Sequence, residues 1–435
     1  MRALAISCAL VGVVVTPVTA ATPDAGATYY RDVLPILQEN CQTCHRPVAD
    51  NIGGMVAPMS LMTYDEVRPW AKSIAKAVQS RDMPPWFATE HTRGQFFDER
   101  VLTEAQIETV VAWAKSGAAA GSPADAPEAR SFLQDETSGW TEGEPDLIVS
   151  LPEPYFVADD IEDINIDFST TLTAEQLPED TWLRGMEFRV GGPNVHHMCA
   201  SAYPPGESPS IAAGTGKGFQ RNGLGCIALG ADPTVLPEGF AQLLRAGSTI
   251  RFSMHYNKEA GPGTGFSDQS ELAFYFAKGP VRHKAVYDAI GNTSFEIPPH
   301  QEKWRVGAAK TFEEDAYLLA LWPHAHLRAV AARYELFYPD GETELLLDVP
   351  EYDQEWQTTY RYREPKLVPA GSRLEVTMWY QNTEERAAER GFNPERAIVF
   401  GPETYDEMML GFLNWAPAEA KDWQLPVEIP SSGSE

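Results

Sequence analysis

The spacing of apolar residues changes period once along this chain. From about Ala27 to Gly121 it is helical. Tyr30, Val33, Leu34 and Leu37 share one stripe, with Pro35 tolerable in a first turn. Thr63 and Glu66 form a capping box, and Val67, Trp70, Ile74 and Ala77 continue the apolar face behind it. Thr103 and Gln106 form a second box ahead of Ile107, Val110, Val111 and Ala114, with Gly117 as the stop. Beyond a Pro/Ala/acid stretch, Ser122 to Glu128, the period falls to two. Ile250, Phe252 and Met254 alternate with Arg251, Ser253 and His255, and Leu374, Val376, Met378 and Tyr380 alternate in the same way. Asp340-Gly341 between two such runs is a hairpin signal. Short strands with turns at this spacing predict antiparallel sandwiches, and the length from Pro145 to Trp415 suits two of them. The expected fold is a small all-α domain followed by two antiparallel β-sandwich domains, with a soft boundary near Pro298-Pro299.

Charge and composition narrow the setting. A formal net charge of −28 repels phosphate backbones and anionic lipid, which argues against nucleic-acid partners. Arg2, an apolar run from Ala3 to Val15 and the small-residue site Val18-Thr19-Ala20 read as a secretory signal peptide. No later segment has the roughly 20 apolar residues of a membrane span. The expectation is therefore a periplasmic or secreted protein. Cys8 leaves with the signal peptide, and an oxidising compartment allows Cys199 and Cys226 to bridge.

Cys41-Gln42-Thr43-Cys44-His45 has the spacing of covalent c-haem attachment: two thiols for the vinyl groups and an adjacent histidine for the iron. A thioredoxin-like pair would need a βαβ context, and a zinc site a second Cys/His pair, where only His91 is available. The sixth ligand has as candidates Met55, Met59, Met62, Met83 and His91. Met83 stands before Pro84-Pro85-Trp86, where two prolines hold an extended strand, and a thioether ligand raises the haem potential. The segment resembles bacterial cytochrome c domains in which CxxCH is followed by MPPW, and that resemblance favours Met83.

The other histidines are grouped. His196 and His197 are adjacent, His255 lies on an alternating strand, and His324 and His326 form an HxH. On a strand, i and i+2 point the same way about 6.6 Å apart, so an HxH can chelate one metal. Adjacent histidines point oppositely, so His196 and His197 need a bulge or turn to share one; Gly191-Gly192-Pro193 upstream offers it. From Glu187 to Trp415 the chain resembles the copper type II, ascorbate-dependent monooxygenases. Val195-His196-His197-Met198 matches their HHM, Met254-His255-Tyr256-Asn257 the segment with the third ligand of the electron-transfer copper, His324-Ala325-His326-Leu327 the HxHL of the catalytic copper, and Asp406-Glu407-Met408 the segment whose methionine completes that site. Asn382-Thr383-Glu384-Glu385-Arg386 also matches a stretch of the fold.

The resemblance implies two sandwiches with one copper on each facing an open cleft, and a Cys199–Cys226 disulfide bracing the HHM region. It implies hydroxylation of a C–H bond of a small-molecule substrate with O2 at His324, His326 and Met408, with His196, His197 and His255 holding the copper that passes electrons. Imidazoles with a weak thioether suit copper cycling between oxidation states, whereas zinc gives no reason for Met408; Met409 is the neighbouring alternative. His283 and His300 match no family ligand. Trp322 and Phe412 replace the arginine and tyrosine of the peptide-amidating members, which argues against peptidylglycine amidation and for a more apolar pocket.

The resulting division is a signal peptide at 1–20, a cytochrome c domain at 21–121, a linker at 122–144, sandwiches at 145–297 and 298–420 with the electron-transfer and catalytic coppers respectively, and a tail at 421–435. Haem c and two coppers are the expected cofactors, with ascorbate or a redox protein as electron donor and the haem feeding the coppers. The alternatives are an electron-transfer cytochrome carrying a non-catalytic copper-binding module, and a copper-sequestering protein.

Overall fold

The computed structural model describes residues 26–46, 57–97, 99–132, 140–192, 194–207, 222–228 and 233–420. The expected signal peptide, Met55, Pro193, part of the expected linker and the expected tail lie outside these residues. Both capping boxes are present: Thr63 and Glu66 start a helix at Tyr64–Val67, and Thr103 and Gln106 start one at Glu104–Lys115. In each, the threonine hydroxyl accepts the third backbone N–H while the longer side chain accepts from the cap. With Leu34–Asn40 and Ala71–Ser80, these helices enclose a core of Val33, Leu37, Val67, Val78, Val110 and Trp113.

The expectation of an all-α cytochrome c domain followed by two sandwiches needs correction. The described chain is predominantly β, 40% strand against 15% helix, and its helices run only four to twelve residues. The N-terminal region is also not self-contained. Phe96 is fully buried, and Trp86, Phe87 and Ala88 pack beside it, in the core formed by Leu318, Tyr334, Val376 and Tyr380. The same segment hydrogen-bonds to the strand Tyr360–Val368. Phe97 N–H donates to the Arg361 carbonyl (2.7 Å) and Arg363 N–H to that of Gln95 (2.8 Å). Residues 86–97 thus belong physically to a β-sheet, because their large apolar side chains find cover there and not among the short helices.

Two pairs of sheets form most of the rest, beside the two-stranded sheets Tyr155–Val157 with Phe266–Asp268 and Glu296–Ile297 with Ile398–Val399. In the first, Leu147–Ser150, Glu271–Phe276, Thr181–Arg189, Phe240–Leu244 and His283–Lys284 lie in that order, with Thr234–Val235 beside Thr181–Arg189. They face Asp163–Thr171, Thr249–Asn257, Val195–Tyr203 and Gly223–Ala228 across a core including Met186, Phe188, Met198, Phe252 and Met254. In the second, Val286–Gly291, Leu410–Pro417, Ala316–His324 and Tyr360–Val368 face Gln301–Thr311, Arg373–Asn382, Ala329–Phe337 and Thr343–Val349. The chain joins this second pair at Val286–Gly291, ahead of Pro298-Pro299. The Asp340-Gly341 hairpin is present, with Gly341 at φ 94°, a conformation glycine adopts without steric cost. Cys199 and Cys226 face each other on adjacent strands and form a disulfide. No helix among the described residues is long and apolar enough to cross a membrane.

Candidate metal centre

Adjacent histidines can converge only if the strand slips. Opposite Thr249–Asn257, Val195 pairs with Tyr256 and His197 with His255, so His196 is the extra residue of a bulge. Just upstream, Gly191 N–H donates to Asp268 Oδ1 (3.0 Å), and a Cβ at this glycine would lie 2.4 Å from the backbone nitrogen of Gln269. Only glycine allows that approach. As a result the rings of His196, His197 and His255 meet, with centroids 4.6 to 5.3 Å apart, and one nitrogen of each lies within 4.8 Å of the others.

His324 closes the strand Ala316–His324, and His326 lies just beyond it with the two ring centroids 5.5 Å apart. Met408 precedes the strand Leu410–Pro417 and packs against Trp322, Leu410 and Phe412. Met409 is fully buried in the core of the second pair of sheets, which removes it as an alternative ligand. Phe412 stacks on Trp322 (4.9 Å), and Trp322 lies 5.7 Å from His324, giving the centre one aromatic wall.

The expectation of two groups separated by an open cleft is not met. The rings of His197 and His324 are 5.6 Å apart, so the five histidines form one continuous cluster across the two pairs of sheets. Other contacts cross the same seam. Gln354 Nε2 lies 3.2 Å from His196 Nε2, Thr404 Oγ1 lies 3.3 Å from His255 Nε2, and Asn165 donates to the Pro402 carbonyl (3.2 Å).

Each ring is held by a polar neighbour. His255 Nε2 is 2.7 Å from Asp163 Oδ1, so Nε2–H donates to the carboxylate and Nδ1 is left as an acceptor, 3.0 Å from His197 Nε2. His324 Nδ1 donates to Gln357 Oε1 (2.7 Å), and His326 Nδ1 lies 3.4 Å from the Asp406 carbonyl. Glu407 is fully buried and accepts the backbone N–H groups of His326 (2.9 Å), Arg328 (2.7 Å) and Met408 (3.2 Å), so one carboxylate ties the HxH loop to the methionine segment.

Burial dominates the electrostatics. It lowers His196 to about 3 and His324 to about 4, assisted by the neighbouring imidazoles, and takes His197 and His326 well below their ordinary value. All four are therefore neutral, the form that ligates metals. Burial works to raise Asp163, but hydrogen bonds from His255 and Thr404 outweigh it and hold the carboxyl at about 2. Burial raises Glu407 to about 7 against the pull of its three backbone donors.

The residues fit a metal ion. His196 Nδ1, His197 Nδ1 and His326 Nε2 are buried with no hydrogen-bond partner, a costly arrangement unless something binds them. Ring nitrogens facing carboxylate, amide or carbonyl oxygens are the usual second support of metal-binding histidines. Asp163, Gln354, Gln357 and Thr404 carried no signal in the sequence, since each meets its histidine across a long stretch of chain. Glu407 lay inside a matched motif, but nothing local revealed its three backbone contacts.

In the N-terminal region, Cys41 and Cys44 lie in a turn and form no disulfide. His45 Nδ1 lies 3.1 Å from the Met59 carbonyl, a contact that fixes the ring and leaves Nε2 for another partner. Met59 packs against the helical core beside Cys41. Met83 is 43% exposed and lines a cavity of about 390 Å³ with Val78, Leu102 and Ile107, to which neither cysteine nor His45 contributes. The backbone of Met59 is thus the part of a candidate methionine that the structure places in contact with His45. His91 is exposed, His283 stacks on Phe240 and bonds to the Pro417 carbonyl, and His300 pairs with Glu395 at the surface.

No protein-family model matches the sequence, and no curated protein matches it. Among solved structures, the chain is similar to the major capsid protein P2 of bacteriophage PM2 (TM-score 0.26, 8% identity, 62% of this chain and 96% of that one). It is similar also to the cowpea mosaic virus top component (TM-score 0.30, 4% identity, 64% and 92%) and to PNGF-II (TM-score 0.26, 9% identity, 65% and 66%). Likenesses this low carry no argument about the site.

Proposed function

We propose that this chain is an exported copper-dependent monooxygenase that hydroxylates a C–H bond of a small organic substrate with O2, and that it carries a covalent haem on Cys41, Cys44 and His45. The observation that carries the reading is the convergence of five of the nine histidines, with ring nitrogens of His196, His197 and His326 buried and unpartnered. His196, His197 and His255 would hold one copper, and His324, His326 and Met408 the other. Copper bound there supplies one-electron cycling and activation of O2.

The chain's own groups prepare the centre. Asp163 fixes the tautomer of His255, and Gln357 that of His324. Glu407 sets the spacing between His326 and Met408 by holding both backbones. Trp322 and Phe412 keep water from one side and offer an apolar face to substrate. The haem is proposed from the motif, the two cysteines outside any disulfide and the anchored His45. Met83 as its sixth ligand rests on the MPPW resemblance, and no electron path is derived from it.

Metal analysis together with turnover under isotopically heavy oxygen gas tests the reading. Two coppers and one haem per chain, with label in an organic product, are the expected result. Haem without copper would favour an electron carrier. Tightly held copper with no oxygen uptake under any reductant would favour sequestration. Either outcome rejects the oxygenase.

A further inference from the structure

The stretch between the strands Thr343–Val349 and Tyr360–Val368 touches both groups of histidines. The Tyr352 hydroxyl accepts the backbone N–H of Ala325 (3.0 Å) and donates to the Ala325 carbonyl (2.9 Å), which fastens the stretch to the residue between His324 and His326. Gln357 Oε1 holds His324 Nδ1 (2.7 Å), and Gln354 reaches across the seam to His196. The two glutamines are joined, since Gln357 Nε2 donates to the Gln354 carbonyl (3.0 Å). Gln354 is 4% exposed and Gln357 1%, while Asp353 pairs with Arg390 (3.1 Å) on the outer side. Residues 352–357 thus form a short, pinned strap with one glutamine on each group.

The contact with His196 has a definite chemical consequence. Gln354 Nε2 lies 3.2 Å from His196 Nε2, so the amide N–H donates and the imidazole proton falls on Nδ1. That Nδ1 is buried with no partner, and so is Gln354 Oε1. Half a turn of the amide puts Oε1 against the ring instead. It then accepts from Nε2–H, and Nδ1 carries the lone pair. The two ends of a carboxamide are nearly equal in size, so the turn needs no repacking. A metal ion at Nδ1 selects the turned amide, because a protonated nitrogen cannot ligate.

We propose that Gln354 is a positioning residue for His196, accepting from its Nε2–H so that Nδ1 faces copper, and that the strap couples the two groups, so that copper at either one tightens the other. The proposal rests on the two-copper reading above and adds to it an energetic link between the sites. The link runs through Gln357 and Tyr352 at one end and Gln354 at the other. Copper on His324 and His326 fixes the groups that hold the strap, and the strap then presents Gln354 already ordered to His196. Linkage makes the effect reciprocal.

Anaerobic titration of the full chain with Cu(I) against a chromophoric chelator tests the proposal. The two-site binding constant is divided by the product of the single-site constants, taken from His326→Ala for the first group and His255→Ala for the second. The ratio should be about fivefold or more. Gln354→Leu, similar in size and without the amide, should bring the ratio in its own background to one, and Gln354→Glu, which keeps an acceptor, should retain most of it. Unchanged circular dichroism spectra verify that the variants fold. Nitrogen-15 NMR of the native Cu(I) form should show His196 protonated at Nε2. A native ratio of one, a ratio unchanged in Gln354→Leu or lost in Gln354→Glu, or a His196 proton on Nδ1 overturns the proposal and leaves the two-copper reading standing. A native chain that binds no copper overturns both.

Discussion

Glu407 shows how much one buried side chain can organise. Its carboxylate is the acceptor for three backbone N–H groups, from His326, Arg328 and Met408. Glu407→Ala leaves three buried donors unsatisfied at once. We expect a loss of stability of about 3 kcal/mol or more, read from the midpoint of urea unfolding. The histidines make a second prediction. Four of them are buried with pKa values below 6.5, His196 at about 3 and His324 at about 4. Between those values and 6.5 the unfolded chain binds more protons than the folded one, so stability rises with pH there and is lost as pH falls below 6.5. Metal-free protein should unfold at clearly lower urea concentration at about pH 5 than at about pH 7.5. Equal midpoints would mean that the imidazoles are not buried in the neutral form. The histidine groups were legible in the sequence because their spacings are local. Asp163 was not, because it meets His255 across 92 residues of chain.

At the scale of elements, capping boxes and alternating strands could be read directly, since both are short-range patterns. The bulge at His196 followed from a geometric requirement: two neighbours cannot face one metal on an ideal strand. The segment 86–97 was different. It lies within the stretch read as helical, and nothing nearby names Tyr360 and Tyr362 as partners of its aromatic residues. Trp86 lies 5.1 Å from Tyr360, and Phe96 5.0 Å from Tyr362. Phe96→Ala should therefore destabilise the second pair of sheets by about 3–5 kcal/mol and leave the helical core of Val110 and Trp113 intact. Hydrogen exchange resolved by segment would report which part loosens. The disulfide belongs to this scale too. Replacing Cys199 and Cys226 with serine should cost about 2–4 kcal/mol in chemical unfolding.

At the scale of the whole molecule, the approach of His197 to His324 was invisible to sequence reading. It arises from how the two pairs of sheets meet, a property shared among Asn165, Gln354, Thr404 and their partners. A ligand that binds only this docked arrangement stabilises it by mass action. Loading with copper should therefore raise the melting temperature, and chelation should return it to the metal-free value. An unchanged melting curve, with copper retained, would place the ion away from the seam.

The pairing of residues 86–97 with Tyr360–Val368 bears on how the protein can be handled. That strand ends its sheet, and a bare sheet end offers a row of unsatisfied backbone groups to any other chain. The N-terminal segment works as a sheath over it. A shortened chain starting at the linker would retain every proposed copper ligand and still present Tyr360, Tyr362 and an open backbone edge to its neighbours. Its tendency to self-associate would then reflect the lost sheath, and low activity in such a fragment would say little about whether electrons must enter through the N-terminus.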